Sequence, residues 1–418
     1  MNIMYEKRRK DVLDWRNCYI AMFHSGKAPV RSADERYPFS VNRNFYYLTG
    51  LDLEDCILMI IRDMNGGCRC ELFADQTDDV AAKWNGGTLD RSQIASISGI
   101  SSIFPMKDWA PRFHRYINNI PSNYSTNVGL DLQKFCIDDH STDTSRIAAY
   151  IREQYPHLSV INVFPALAKS RMIKSDKELE FMKSAQISVR KAIEELLAYA
   201  RPGMNECELE SMFSFALAKQ KVRETAFPTI VAGGKRGTIL HYQENCQPVY
   251  DGELVLIDLG STCCHYCSDI SRTFPINGIF TSRQRELYEI VLQAQKLVIQ
   301  SAAPGKTLKE LDDIVVQFYE KALPEAGLLH DGKTVRDYYY HGVSHPLGLD
   351  THDICLPEYE TLCEGMVITV EPGLYVEEEG IGIRIEDDLL ITAQGAVNLS
   401  EHILKTPDEI EAFMKSRK

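Results

Sequence analysis

Asp258, Asp269, His345, Glu371 and Glu386 are four carboxylates and an imidazole far apart in the chain, and their settings are hard to explain without metal. Asp258 ends the run Leu254-Val255-Leu256-Ile257, and Glu371 ends Met366-Val367-Ile368-Thr369-Val370. Carboxylates are almost never fully buried unless they are paired or bound to a cation. Leu254 to Phe274 reads as two strands around a turn centred on Cys263-Cys264, a register that sets Asp258 directly opposite Asp269. Val367 to Glu371 and Ile381 to Ile391 read as a second hairpin centred near Glu378-Glu379, which sets Glu371 opposite Glu386. Like charges facing each other across a ladder are destabilising, so both pairs call for compensating cations. Four carboxylates and an imidazole balance two divalent ions, and an oxygen-rich donor set suits Mn²⁺ better than thiolate-seeking metals. The expectation is a two-metal hydrolytic centre.

Other residues fit around that set. His341, His345 and His352 lie within twelve residues, His341-Gly342-Val343-Ser344-His345-Pro346 to His352-Asp353. Gly342 and Pro346 oppose a helix, so His341 and His345 are read on one face of an extended segment. Arg384 stands two residues before Glu386, on the same face, where a guanidinium could orient a metal-bound carboxylate. His241 follows a glycine-containing loop and carries little weight alone. Gly233-Gly234-Lys235-Arg236-Gly237 lacks the spacing of a phosphate-binding loop, and no GxSxG elbow is present.

These residues need a large scaffold. At 418 residues the chain exceeds one ordinary core, and its 44% apolar content is typical of globular proteins. The net charge of −13 argues against a nucleic-acid partner. The N-terminus is charged, no segment approaches a membrane span, and twelve cysteines are simplest as reduced thiols; a cytoplasmic location is expected. Cys263, Cys264 and Cys267 around His265 are read as hairpin-tip thiols, and Cys68 and Cys70 as packing residues sharing a strand face.

The fold class expected is α/β (α+β), in two domains, 1–168 and 169–418. In the first, Asp55 to Arg62 and Cys68 to Ala74 read as strands around a turn at Asn65-Gly66-Gly67, with helical pieces at Asp78 to Trp84 and His140 to Gln154. A linker is expected at Lys169 to Lys174. Ser175 and Glu178 then form a capping box for a helix to Ala200, ended by Arg201-Pro202-Gly203. Pro202-Gly203-Met204-Asn205-Glu206 resembles Pro304-Gly305-Lys306-Thr307-Leu308; each follows a long helix (the second with a box at Thr281 and Gln284), opens another, and precedes one carboxylate hairpin. The order points to a duplicated half that folds back on its twin.

The chain closely resembles the pita-bread metallopeptidases, specifically the aminopeptidase P family. The resemblance rests on Ile257-Asp258-Leu259-Gly260, Ser268 to Phe274, His341 to Asp353, Glu371-Pro372-Gly373-Leu374-Tyr375 and Arg384-Ile385-Glu386-Asp387, with Arg31 to Asp34 and Asn44 to Gly50 matching the amino-terminal domain. It implies a pseudo-twofold catalytic domain in which Asp258 chelates one metal, His345 and Glu371 bind the other, and Asp269 and Glu386 bridge both. A hydroxide between the ions would attack the bond before proline, and Glu371 would shuttle its proton. His352 and His241 would steady the substrate, and His341 would shape the proline pocket. The implied substrates are peptides with proline second, and the implied assembly is a homodimer or homotetramer. Trp84 is read first as a buried aromatic; the resemblance would make it a cap on a neighbouring subunit's site. The nearest rival is prolidase, which shares the metals but accepts only dipeptides. Methionine aminopeptidase usually lacks so large a first domain. A creatinase-like hydrolase or a non-catalytic peptide-binding relative would usually have lost metal ligands.

Overall fold

The computed structural model describes residues 2–416 apart from 64, 66, 78–81, 85, 135, 138–141 and 357–360. The chain divides into two compact units, Met1–Ser170 and Arg171–Lys418.

The first unit is built on one mixed sheet. Its strands are β1 (Ile20–His24), β2 (Ile57–Arg62), β3 (Cys68–Phe73), β4 (Ile103–Phe104), β5 (Asn127–Leu130) and β6 (Ser159–Asn162), in the order β4-β3-β2-β1-β5-β6. The central strand β1 is buried along its length, as its unbroken apolar run Ile-Ala-Met-Phe requires. Helix Asp143–Gln154 starts on the Thr142 cap and packs Ile147 and Ile151 into the core under the sheet. Of the helix expected at Asp78 to Trp84, residues 78–81 lie outside the described residues; Ala82 to Trp84 are helical. The Trp84 side chain is 84% exposed, so the expectation of a buried aromatic is overturned. The expected linker at Lys169 to Lys174 is corrected too. Helix Phe164–Met172 runs through most of it, because Leu167, Ala168 and Met172 supply an apolar stripe and Pro165 falls in the first turn, where a missing N–H costs nothing.

The second unit repeats one motif. Helices α1 (Asp176–Tyr199) and α3 (Ser282–Ser301) open with capping boxes at Ser175/Glu178 and Thr281/Gln284. Helices α2 (Glu206–Lys219) and α4 (Leu308–Glu325) open with boxes at Asn205/Glu208 and Thr307/Glu310. The links between helices match bond for bond. Gly203 and Gly305 both have φ of +89°, and their N–H groups donate to Val249 O at 2.7 Å and Leu362 O at 2.9 Å. Gly252 and Gly365, at φ +84° and +87°, then turn the chain into the strands that lead to Asp258 and Glu371, each six residues on.

Those strands and their partners form three sheets. Strands β7 (Ile230–Gly233), β8 (Leu254–Leu259) and β9 (Ile270–Pro275) pair in the order β9-β8-β7. Strand β10 (Val367–Val370) pairs with β13 (Asp387–Thr392), and β11 (Gly373–Val376) with β12 (Ile381–Arg384); β14 (Gly395–Asn398) completes the edge beside β13. The second hairpin has the expected register. Val370 faces Asp387 and Gly373 faces Arg384, so Glu371 and Glu386 fall opposite each other in the short break between the ladders.

The first hairpin corrects its expectation. Asp258 faces Ser271, not Asp269. The turn is centred on Cys264-His265, both left-handed at φ +50° and +63°, one residue later than expected. Neither residue belongs to the Asn-Gly pattern that announces such a turn. A shift of two positions in pairing keeps every side chain on its face, so Asp258 and Asp269 still point the same way.

The strand carrying Arg384 lies hard against the loop that follows β7. A methyl group on Gly382 would sit 2.0 Å from the Gly237 carbonyl oxygen, and backbone cannot step aside as a side chain tip can. Gly382→Ala should therefore cost about 1–3 kcal/mol of stability through overpacking. A thermal melt of the variant that matched wild type would contradict this packing.

Candidate metal centre

The antiparallel registers continue from one hairpin into the other. Asp258 faces Ile230 on one side and Ser271 on the other. Glu386 N–H donates to Ser271 O at 3.0 Å, and Glu371 N–H donates to Val343 O at 2.8 Å. One row across the curved surface thus reads Ile230, Asp258, Ser271, Glu386, Glu371, Val343, and facing residues share a side of a sheet. His345, two residues beyond Val343, is tied to the next row by Thr369 N–H donating to its carbonyl at 2.9 Å. Asp269 N–H reaches Asp388 Oδ2 in that same row at 3.2 Å. Residues 343 to 347 run beside β10 with an isolated bridge at Pro346 to Ile368, but the chain bends at His341 and Val343, so the extended segment expected to carry His341 and His345 together is not formed.

The result is a cavity of about 450 Å³ lined by all nine residues that the sequence singles out: Asp258, Asp269, His345, Glu371, Glu386, His241, His341, His352 and Arg384. Asp269, His345 and Glu386 each offer a ligand atom within 4.8 Å of the others. His345 Nε2 is 3.4 Å from Asp269 Oδ2 and 3.6 Å from Glu371 Oε1. Its Nδ1 lies 3.0 Å from Pro346 O, an acceptor, so Nδ1 carries hydrogen and Nε2 faces the carboxylates.

Arg384 is buried, and its fork spans the row. Its Nη2 donates to Asp258 Oδ2 at 2.7 Å, Nε to Ser271 Oγ at 2.8 Å, and Nη1 to Tyr375 Oη at 3.1 Å. Ser271 passes its own hydrogen to Glu386 Oε2 at 2.8 Å. One guanidinium cannot neutralise four carboxylates. Burial raises Asp258 to about 6, against the pull of Arg384. Burial raises Glu371 to about 7, with His345 and Arg384 opposing. Burial and the charges of Asp269 and Glu371 push Glu386 well above the carboxylate range. Burial works against charge on His345, yet its hydrogen bond to Asp269 and the charge of Glu371 outweigh that and raise it to about 9.

A hard divalent ion fits this donor set. Asp258 Oδ1 is buried without a hydrogen-bond partner among the described residues, and the oxygens outnumber the nitrogen. A bound cation would reverse the carboxylate shifts.

The remaining histidines surround the rim. His352 is exposed, its ring in edge contact with His345 at 4.5 Å between centroids. Burial, followed by the charge of His345, lowers its pKa. His241 is exposed on the opposite wall with Phe227, Pro228 and Leu240. His341 has Nδ1 3.8 Å from Glu371 and Nε2 2.8 Å from Tyr375 Oη, and burial then Arg384 lower it to about 4. Sequence reasoning missed Ser271, Tyr375 and Asp388. Ser271 was readable as the residue two on from Asp269, on its face. Tyr375 and Asp388 carry no signal of their own within their apolar strands.

Residues 180–393 match the model of metallopeptidase family M24, and residues 5–124 match that of the aminopeptidase P N-terminal domain. The chain belongs to metallopeptidase family M24. It is 32% identical to the Xaa-Pro aminopeptidase of Escherichia coli K12, over 94% of this chain and 93% of that one. A Bacillus anthracis protein solved as a candidate aminopeptidase P superposes with a TM-score of 0.95 at 38% identity, covering 100% and 99% of the two chains. Escherichia coli aminopeptidase P with the inhibitor Pro-Leu gives a TM-score of 0.89 at 30% identity, covering 100% and 99%. The architecture is the pita-bread fold with an aminopeptidase-P-type first domain.

Metal entry must displace protons. With His345 at about 9, Glu371 at about 7 and Asp258 at about 6, the metal-free cluster is partly protonated at pH 7. Ligands bind unprotonated, so Mn²⁺ affinity should rise from pH 6 to pH 9, and binding at pH 7 should release at least one proton. Titration calorimetry in buffers of different ionisation enthalpy measures that release directly. Heats that did not depend on buffer would contradict the electrostatics described here.

Proposed function

We propose that this chain is a two-metal Xaa-Pro aminopeptidase, removing the first residue from peptides whose second residue is proline. The observation that carries the reading is the cluster of Asp269, His345 and Glu386, with Asp258 and Glu371 in the same cavity. Asp258 would hold one ion, His345 and Glu371 the other, and Asp269 and Glu386 both. When bound, the ions supply Lewis acidity and a nucleophile at neutral pH. Mn²⁺ is the ion proposed, on the strength of the oxygen-rich donors.

The chain's own residues do the rest. Glu371, in the cavity beside His345 and His341, is placed to take a proton and give it up as a general acid–base. That matters for an Xaa-Pro bond, whose tertiary amide nitrogen carries no hydrogen and must gain one as it leaves. Arg384 holds Asp258 and, through Ser271, Glu386 in place. His341, among Tyr339 and Tyr375, shapes an aromatic wall suited to a pyrrolidine ring. His352 and His241, on the open rim, would bind the peptide and the developing negative charge. Support for the substrate class comes from the relatives, which carry the name Xaa-Pro aminopeptidase.

The catalytic domain is proposed to run from residue 169 to 418 and the aminopeptidase-P-type domain from 1 to 168. A homodimer or homotetramer is proposed, with exposed Trp84 reaching a neighbouring subunit's site. No helix among the described residues is long and apolar enough to cross a membrane; a cytoplasmic location is the reading adopted.

The decisive assay is mass spectrometry of Arg-Pro-Pro and Ala-Pro incubated with metal-stripped protein, before and after Mn²⁺. Metal-dependent release of arginine from the tripeptide is expected, together with loss of at least a hundredfold in turnover for Asp269→Asn or Glu386→Gln in folded protein. Cleavage of Ala-Pro alone would move the assignment to prolidase. Full activity in either variant would refute the bridging roles.

A further inference from the structure

The second hairpin is short of one hydrogen bond by its own sequence. Continuing its register places Pro372 opposite Ile385, and Ile385 N–H donates to Pro372 O at 3.4 Å. Facing residues of that kind normally exchange two bonds, and the second would need an N–H at position 372. Proline has none. Ile385 is wholly buried, so its carbonyl cannot turn to water instead.

The missing donor comes from a helix. Gln295, on α3 and fully buried, points Nε2 at Ile385 O at 3.1 Å and at Val370 O at 3.4 Å. One amide nitrogen, with two hydrogens, meets the carbonyls that immediately precede Glu386 and Glu371. The reverse amide orientation would set oxygen against two oxygens. Gln295 Oε1 has no hydrogen-bond partner among the described residues. A leucine or methionine would fill the same space without a buried amide oxygen left over, so packing alone does not account for a glutamine here.

The two glutamates have no hydrogen bond to each other's backbone. Their N–H groups point outward, to Val343 O and Ser271 O. Their spacing is therefore set by the pairs on either side, and Pro372 weakens one of them. We infer that Gln295 is a positioning residue: by replacing the ladder bond that Pro372 cannot make, it holds Glu371 and Glu386 at the separation the metal ions need. The inference rests on the metal-centre reading above. Gln295 acts only through backbone, so its effect should appear as metal affinity before any chemistry.

The test is a mutant cycle on the full chain, with Mn²⁺ affinity measured by titration calorimetry and folding by thermal unfolding of the metal-free protein. Gln295→Met should weaken Mn²⁺ binding about tenfold, in the range typical of residues that support metal ligands. Pro372→Ala restores an N–H facing Ile385 O, and in that background Gln295→Met should cost at least threefold less. An unchanged affinity in the single variant, or the same loss in both backgrounds, would overturn the inference. If Gln295→Met does not fold, the double variant should; failure of both would equally overturn it. Wild-type protein that bound no Mn²⁺ would instead remove the metal-centre reading, and this inference with it.

Discussion

Everything in the catalytic unit answers to the repulsion among carboxylates gathered on one face of a sheet. Two unit charges about 4 Å apart interact by about 4 kcal/mol at an effective dielectric near 20. A few such pairs rival the whole net stability of a domain, about 5–15 kcal/mol. Arg384 offsets part of that through Asp258 and Ser271. Protons offset the rest in the metal-free protein, which is why Asp258, Glu371 and Glu386 all sit above the ordinary carboxylate range. Divalent ions do the same work without neutralising the oxygens as ligands. The site is thus built to exchange protons for metal.

The scaffold that enforces this crowding is made from a repeated set of parts. Two capped helix pairs, joined through Gly203 and Gly305 in matching conformations, deliver one hairpin each. Glycines at 252 and 365 start the strands at the same distance from Asp258 and Glu371. Because the register continues from one hairpin to the other, a single row carries Asp258, Glu386 and Glu371 side by side. Alternate residues face away and lock the layers: Arg272, beside Ser271, donates to Asp387, beside Glu386, at 2.7 Å. The polar face and the bolted face come from the same period of two.

Much of this was legible in the chain. The capping boxes at Ser175, Thr281 and the duplicated Pro-Gly segments fixed helix starts, since each pattern satisfies backbone donors that would otherwise be orphaned. The second hairpin was placed in register by the symmetry of its apolar runs about Glu378-Glu379. The first was displaced by one residue, because Cys264 and His265 take left-handed conformations without the sequence that normally marks them. The amino-terminal charges gave no structural signal at all. Asn2–Asp14 is a helix, and Arg8 and Arg9 are buried against the carbonyls of Tyr47, Leu48 and Ser98, so a charged run there is tertiary cement. Gln295 was invisible for a related reason: its role exists only where Pro372 meets Ile385, and neither neighbour lies near it in sequence.

The most direct measurement is a crystal of the protein soaked in Mn²⁺, with anomalous scattering recorded at the manganese edge. Two peaks about 3.5–4 Å apart, both within bonding distance of Asp269 and Glu386, with Asp258 on one and His345 and Glu371 on the other, are the predicted result. A single peak, or manganese bound away from this cavity, would contradict the two-metal centre.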